Sequence, residues 1–221
     1  TFTVLDLITP SIDLKVQKVG TSLNPVWEGN GIIAMEGLDG DIKYTNTYRI
    51  SDEDIYFIWE DNRSSKKIYG SRITNSELSA LNGGQLSFSD NSSSETDFST
   101  PKSIYTSTGI YVATFDGLTG EKYIRINRLD EQLQNVWNEN GISFNTNGMA
   151  NVFLAESASG ITCFWSEITA MGTYDIFFQS IASDGSVLIA NGGVELVESF
   201  ADDYVMAVVP TPDEKYMIFW M

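Results

Sequence analysis

One motif, written four times at intervals of about 52–57 residues along the 221-residue chain, limits what it can fold into. The copies are VGTSLNPVWEGNGI (Val19 to Ile32), ITNSELSALNGGQL (Ile73 to Leu86), LDEQLQNVWNENGI (Leu129 to Ile142) and IASDGSVLIANGGV (Ile181 to Val194). Each runs from an apolar strand through a turn to an anchoring glycine: Gly31, Gly84, Gly141 and Gly193. A second landmark reports the same period. Ser51 to Asp61, Thr106 to Asp116, Ser157 to Glu167 and Thr211 to Met221 superimpose without gaps, each a polar turn followed by a hydrophobic strand.

Each period holds four strand-like runs separated by Gly, Asn, Asp and Ser clusters. In the second period they are Thr45 to Ile50, Ile55 to Glu60, Ile68 to Ile73 and Gln85 to Phe88. Sustained helical periodicity is absent, and Val, Ile, Tyr, Phe and Thr dominate the runs, as strands prefer. Four short strands per repeat of this length predict an all-β propeller of four-stranded blades, with residues 1–221 forming one such domain or part of one. Phe2 to Asp6 falls in the register of a second strand, and Met221 lies inside another second strand. About four blades are therefore visible, and a fragment of a larger propeller, the remainder of a longer polypeptide, is the expectation. A ring of four or five blades closed by this chain alone is the alternative.

Composition narrows the chemistry mainly by exclusion. Histidine is absent, which removes Ser-His-Asp and Cys-His catalysis and every imidazole-ligated metal site. The single cysteine, Cys163, lies in an apolar run and reads as a buried spectator thiol. A net charge of −17 repels phosphate backbones and anionic membranes, so no nucleic-acid partner is expected. No apolar run is long enough to insert into a membrane. The acidic turns Leu38-Asp39-Gly40-Asp41, Asp52-Glu53-Asp54 and Asp202-Asp203 lack EF-hand spacing, so no cofactor is expected, a structural Ca²⁺ being the one ion such turns could take.

A carboxylate recurs at the end of each second strand: Asp6, Asp61, Asp116 and Glu167. In a propeller these form a ring on one face, where they could bind Ca²⁺ or sugar hydroxyls, or simply cap a hairpin entrance. Recurrence in every blade favours the capping role. Trp59 and Trp165 lie two residues before that position, either as sugar-stacking platforms or, by strand alternation, as core. Trp27 and Trp137 read as blade-stacking residues.

The best-preserved blade reads Ile58-Trp59-Glu60-Asp61-Asn62-Arg63, then Ile68-Tyr69-Gly70-Ser71-Arg72-Ile73, with Trp-x-x-x-Gly elements at Trp27/Gly31 and Trp137/Gly141 and a turn at Ser183-Asp184-Gly185. This pattern resembles propeller repeats of secreted and surface-anchored bacterial proteins, many of them cargo of the type IX secretion system. Ala80 and Ile189 replace the Trp, and only one blade keeps the Arg. The Ser183 turn also faintly resembles the Asp-box of sialidase-type propellers, without its Trp or its spacing. The motifs that carry the resemblance specify fold and not activity; the expected role is a non-catalytic adhesion, recognition or scaffolding module, secreted or at the cell surface, with a protein or glycan partner. The candidate ligand-binding residues, taken from the repeated positions, are Trp59, Asp61, Arg63, Asp116, Trp165 and Glu167, none of them expected to be catalytic. The alternative is a carbohydrate-active propeller enzyme using carboxylates. Among 30 acidic residues, spacing alone selects no catalytic pair.

Overall fold

The computed structural model describes residues 2–6, 12–27, 29, 31–38, 42–49, 51, 54–61, 67–74, 101–118, 121–138, 141–189 and 192–221. Among them the chain is all β, in two compact units, Thr1–Asp90 and Asn91–Met221. No helix among the described residues is long and apolar enough to cross a membrane.

The first unit holds two antiparallel sheets. One has the order β1 (Phe2–Asp6), β2 (Ile12–Gln17), β3 (Ile32–Leu38); the other β4 (Ile42–Arg49), β5 (Asp54–Asp61), β6 (Lys67–Thr74). The fourth strand expected at Gln85 to Phe88 lies outside the described residues. Val16, Ile55, Phe57, Trp59 and Ile73 form a buried core, with Trp27 and Tyr69 packed against it. Trp27 therefore joins residues of both sheets, as a blade-stacking residue should.

The second unit contains two complete four-stranded sheets and a hairpin. The first runs β7 (Lys102–Thr106), β8 (Gly109–Leu118), β9 (Glu121–Leu129), β10 (Ile142–Thr146). The next runs β11 (Met149–Ser157), β12 (Gly160–Ile168), β13 (Tyr174–Ala182), β14 (Val194–Val197), and the hairpin is β15 (Val205–Pro210) with β16 (Tyr216–Trp220). All pairs are antiparallel, each strand beside its chain neighbour. The first strand of the middle sheet, β11, lies against the first strands β7 and β15 on either side. Convergence of first strands, with later strands fanning outward, makes the arrangement propeller-like.

Alternation along β8, β9 and β12 sends Tyr111, Ala113, Ile124, Ile126, Ile161, Cys163 and Trp165 into one core that spans both four-stranded sheets. Burial pushes the Cys163 thiol well up, so it stays protonated and inert, as its apolar setting suggests.

The turn after each third strand is built the same way where it is described. Gly20 N donates to Asn24 O, Asp130 N to Gln134 O and Ala182 N to Ser186 O, and a further bond closes each loop from Leu23, Leu133 or Gly185. That loop residue is left-handed every time, with φ of 62°, 58° and 93°. Gly185 meets this demand at no steric cost, whereas a leucine there is strained by about 1–2 kcal/mol. Leu23 is 78% exposed and Leu133 only 4%. Leu23→Gly should therefore raise the thermal midpoint by about 2–4 °C, read by a calorimetric scan. Leu133→Gly should lower it, because the buried side chain is lost.

Behind this turn the structure adds a polar repeat. Gln17 Nε2 donates to Trp27 O at 3.3 Å and its Oε1 accepts from Trp27 N at 3.2 Å. Gln179 clamps Ile189 through both atoms in the same way, at 3.2 Å each. Asn127, one methylene shorter, reaches Asn135 Oδ1 at 3.0 Å instead. The amide holds the returning loop that the Trp or Ile position occupies, satisfying backbone groups that no strand pairs.

The Trp-x-x-x-Gly element and the Ser-Asp-Gly turn meet across neighbouring sheets. Trp137 Nε1 donates to Ser183 O at 3.0 Å, and Gly185 lies against the indole. Arg128 reinforces the joint, donating to Ser183 O at 2.7 Å and to Thr108 O. Asp184 meanwhile accepts from Ser186 N at 2.8 Å, a bond that holds its carboxyl below the usual range. The turn caps itself and carries the neighbouring sheet, and no catalytic role attaches to it.

Candidate functional site

The acid expected at the end of each second strand can be followed through the strand registers. Asp6 stands opposite Asp13, Asp61 opposite Lys67, Asp116 opposite Tyr123 and Glu167 opposite Asp175. The acid at the second-strand end repeats, but its cross-strand partner changes in chemistry from sheet to sheet. Two acids face each other on β12 and β13, and there the side chains are described. Arg63 lies outside the described residues.

Trp59 and Trp165 have no exposed surface. Trp59 stacks on Tyr69 at 5.9 Å between ring centroids; Trp165 lies 6.0 Å from Phe177 and 5.1 Å from Phe144 of the preceding sheet. Neither ring presents a face to a ligand. The indole of Trp165 instead donates to Glu167 Oε2 at 2.8 Å, while Oε1 accepts from Asn147 N at 2.7 Å. Glu167 is thus buried and held by two donors, one on its own strand and one on the connection from β10.

Asp175 is fully buried, its Oδ1 taking a 3.4 Å bond from Ser199 N. Two residues on, Phe177 pairs with Glu195 of β14 across a register shift between Ile176 and Phe177. The pleat puts Asp175, Phe177 and Glu195 on one face together with Glu167. Glu195 is exposed, yet where its carboxyl meets Asp175 it is raised above the ordinary glutamate range. Desolvation is the first cause, followed by a hydrogen bond to Asp175 and the like charges of Asp175 and Glu198. Burial and the neighbouring carboxyl groups both disfavour the charged form of Glu195. Glu195 is thus an exposed carboxyl biased toward its protonated form.

Elsewhere the acidic turns do structural work. Asp54 pairs with Arg72 at 3.3 Å, and Asp202 accepts from Tyr174 N at 3.0 Å at the start of β13. Asp39, Asp41, Asp52 and Glu53 lie outside the described residues. No group of three or more Cys, Asp or Glu among the described residues is arranged to hold a metal ion.

The second unit also holds a groove. It encloses about 480 Å³ and is lined by Ser143, Phe144 and Asn145 of β10 with Gln179, Val187 and Gly192 of the next sheet.

No protein-family model matches the chain, and no curated protein matches it by sequence. Among solved structures it is similar to an endo-arabinase from Bacteroides thetaiotaomicron VPI-5482, with a TM-score of 0.51 and 14% identity over 99% of this chain and 83% of the other. At that identity the likeness establishes the fold class alone, an all-β propeller-like architecture. It lends no support to the type IX surface-protein resemblance. It also corrects the expectation of a non-catalytic adhesion or scaffolding module, because the structure that shares the fold is an enzyme acting on a glycan. The carbohydrate-active alternative is the better supported of the two.

Proposed function

We propose that this chain is a carbohydrate-active propeller domain that hydrolyses glycosidic bonds with carboxyl groups, its four-stranded sheets being the blades. The observation that carries the reading is the exposed Glu195 carboxyl set against buried Asp175 on the face that also bears Glu167, its pKa raised by that setting, on a fold similar to that of an endo-arabinase. Glycoside hydrolysis needs one carboxylic acid to protonate the leaving oxygen and a second carboxylate to stabilise charge or activate water. Glu195, raised and reachable, is the proposed acid. Asp175 is the positioning residue that keeps it protonated, and Glu167, fixed by Trp165 and Asn147, is the proposed partner carboxylate. The missing histidines agree with a mechanism built on acids alone. A secreted or cell-surface setting, where polysaccharides are met, suits this activity.

The test is release of reducing ends from linear arabinan, with starch and polygalacturonate as comparisons. Turnover of the neutral pentose polymer that Asp175→Asn weakens is the expected result. Turnover of none of the three would remove the proposal.

A further inference from the structure

The connection between β14 and β15 departs from the repeat. It runs from Glu198 to Tyr204, whereas its counterpart between β10 and β11 is Asn147 and Gly148 alone. The two four-stranded sheets otherwise match strand for strand, so the added residues are not needed to build one. They are nevertheless well fixed. Ser199 N donates to Asp175 Oδ1 at 3.4 Å, and the Ser199 hydroxyl accepts from Ala201 N and donates to Ala201 O, at 3.0 Å each. Asp202 Oδ1 accepts from Tyr174 N at 3.0 Å, and Asp203 N donates to Tyr174 O at 2.6 Å. The rings of Tyr174 and Tyr204 lie 5.0 Å apart at the base of the loop.

Between these anchors stands Phe200, 94% exposed, the most exposed large apolar side chain among the described residues. A ring held in water forgoes the burial that most aromatic side chains gain on folding. The bonds on both flanks fix the backbone that presents it, which lowers the ordering cost of binding. Its place in the fold is beside the carboxyl cluster. Ser199 N touches Asp175, and one residue further on the Phe200 Cα lies within about 8 Å of Asp175 Oδ1. On the other side, the charge of Glu198 acts on Glu195. The same end of the sheet carries Glu167, held by Asn147 of the β10–β11 connection.

An exposed aromatic face next to carboxyls suits a sugar. The C–H face of a sugar ring packs on the aromatic, and its hydroxyls donate to the acids. Charge then selects among sugars. Glu195, Glu198 and Asp202 are all exposed, so a uronate meets like charges and a neutral sugar does not. We propose that Phe200 is a stacking platform for a neutral sugar residue next to the Asp175–Glu195 pair. This rests on the carbohydrate-active reading above and adds to it a substrate-binding residue and the charge class of the substrate.

Calorimetric titration of the whole chain with a neutral pentose oligosaccharide tests the proposal, with an oligogalacturonide and a basic peptide as alternatives. Phe200→Ala should weaken the neutral sugar about tenfold, and Phe200→Trp should keep or tighten it. Neither should move the thermal midpoint by more than about 2 °C, since so exposed a ring has no packing to lose. In hydrolysis Phe200→Ala should raise KM and leave kcat nearly unchanged, the pattern of lost uniform binding. Equal sugar affinity in wild type and Phe200→Ala would overturn the platform, as would no sugar binding by wild type. So would tighter binding of the oligogalacturonide or the basic peptide that Phe200→Ala abolishes. Binding as expected without any hydrolysis would remove the catalytic reading and leave the platform standing, whereas hydrolysis with a KM indifferent to Phe200→Ala would do the reverse.

Discussion

Trp165→Ala is expected to destabilise the chain by about 4 kcal/mol, lowering its thermal midpoint by about 10 °C. The indole is fully buried at the junction of two sheets, packed between Phe144 and Phe177 and covered by Gly193. A Cβ on Gly193 would come within 2.5 Å of the ring, which leaves little room for the surroundings to collapse into the cavity. The substitution also removes one of the two donors that hold buried Glu167, and an under-satisfied buried acid adds its own cost. Trp165→Phe separates the contributions. It keeps most of the volume but loses the N–H, so it should cost about 1–3 kcal/mol. Urea unfolding of the three proteins measures the difference, and near-equal midpoints for wild type and Trp165→Ala would contradict the packing described.

Glu195→Gln should lower kcat/KM on a neutral polysaccharide by about 10²–10⁴-fold, the usual contribution of a general acid. Its effect on stability runs the other way. The folded-state pKa of Glu195 is raised, so its protonated form favours the native state. That contribution is complete below the unfolded glutamate pKa and is lost as pH rises through the raised folded value. Gln imitates the protonated carboxyl and still donates to Asp175. The variant should therefore match wild type at acidic pH and unfold at a higher temperature at neutral pH. Loss of turnover with unchanged or improved stability is a combination that mere structural damage does not produce.

The sheet grouping was legible because the period is carried by residues that build each blade. Strands expected at Ile55 to Glu60 and Ile68 to Ile73 are β5, Asp54–Asp61, and β6, Lys67–Thr74. Trp137 and the Ser183 turn were visible as separate motifs, and only folding brings them into contact. The carboxyl cluster was half legible. Glu167 belongs to the repeated acid position, but its significance depends on what lies across the strand, and Asp13, Lys67, Tyr123 and Asp175 follow no repeat. Glu195 was out of reach for a different reason: a register shift between Ile176 and Phe177 sets it against Phe177, and linear spacing does not encode a bulge. The Gln17 and Gln179 clamps were hidden because Asn127 and Ser71 stand at the corresponding positions, so no residue type recurs there.

The central claim is that Glu195 delivers a proton to a glycosidic oxygen, and the pH dependence of hydrolysis tests it most directly. With a neutral pentose polymer as substrate, wild-type kcat/KM should fall as pH rises through the raised pKa of Glu195. That limb should be absent from the residual activity of Glu195→Gln, and Asp175→Asn should move it to lower pH. A profile with the same upper limb in wild type and Glu195→Gln would contradict the account.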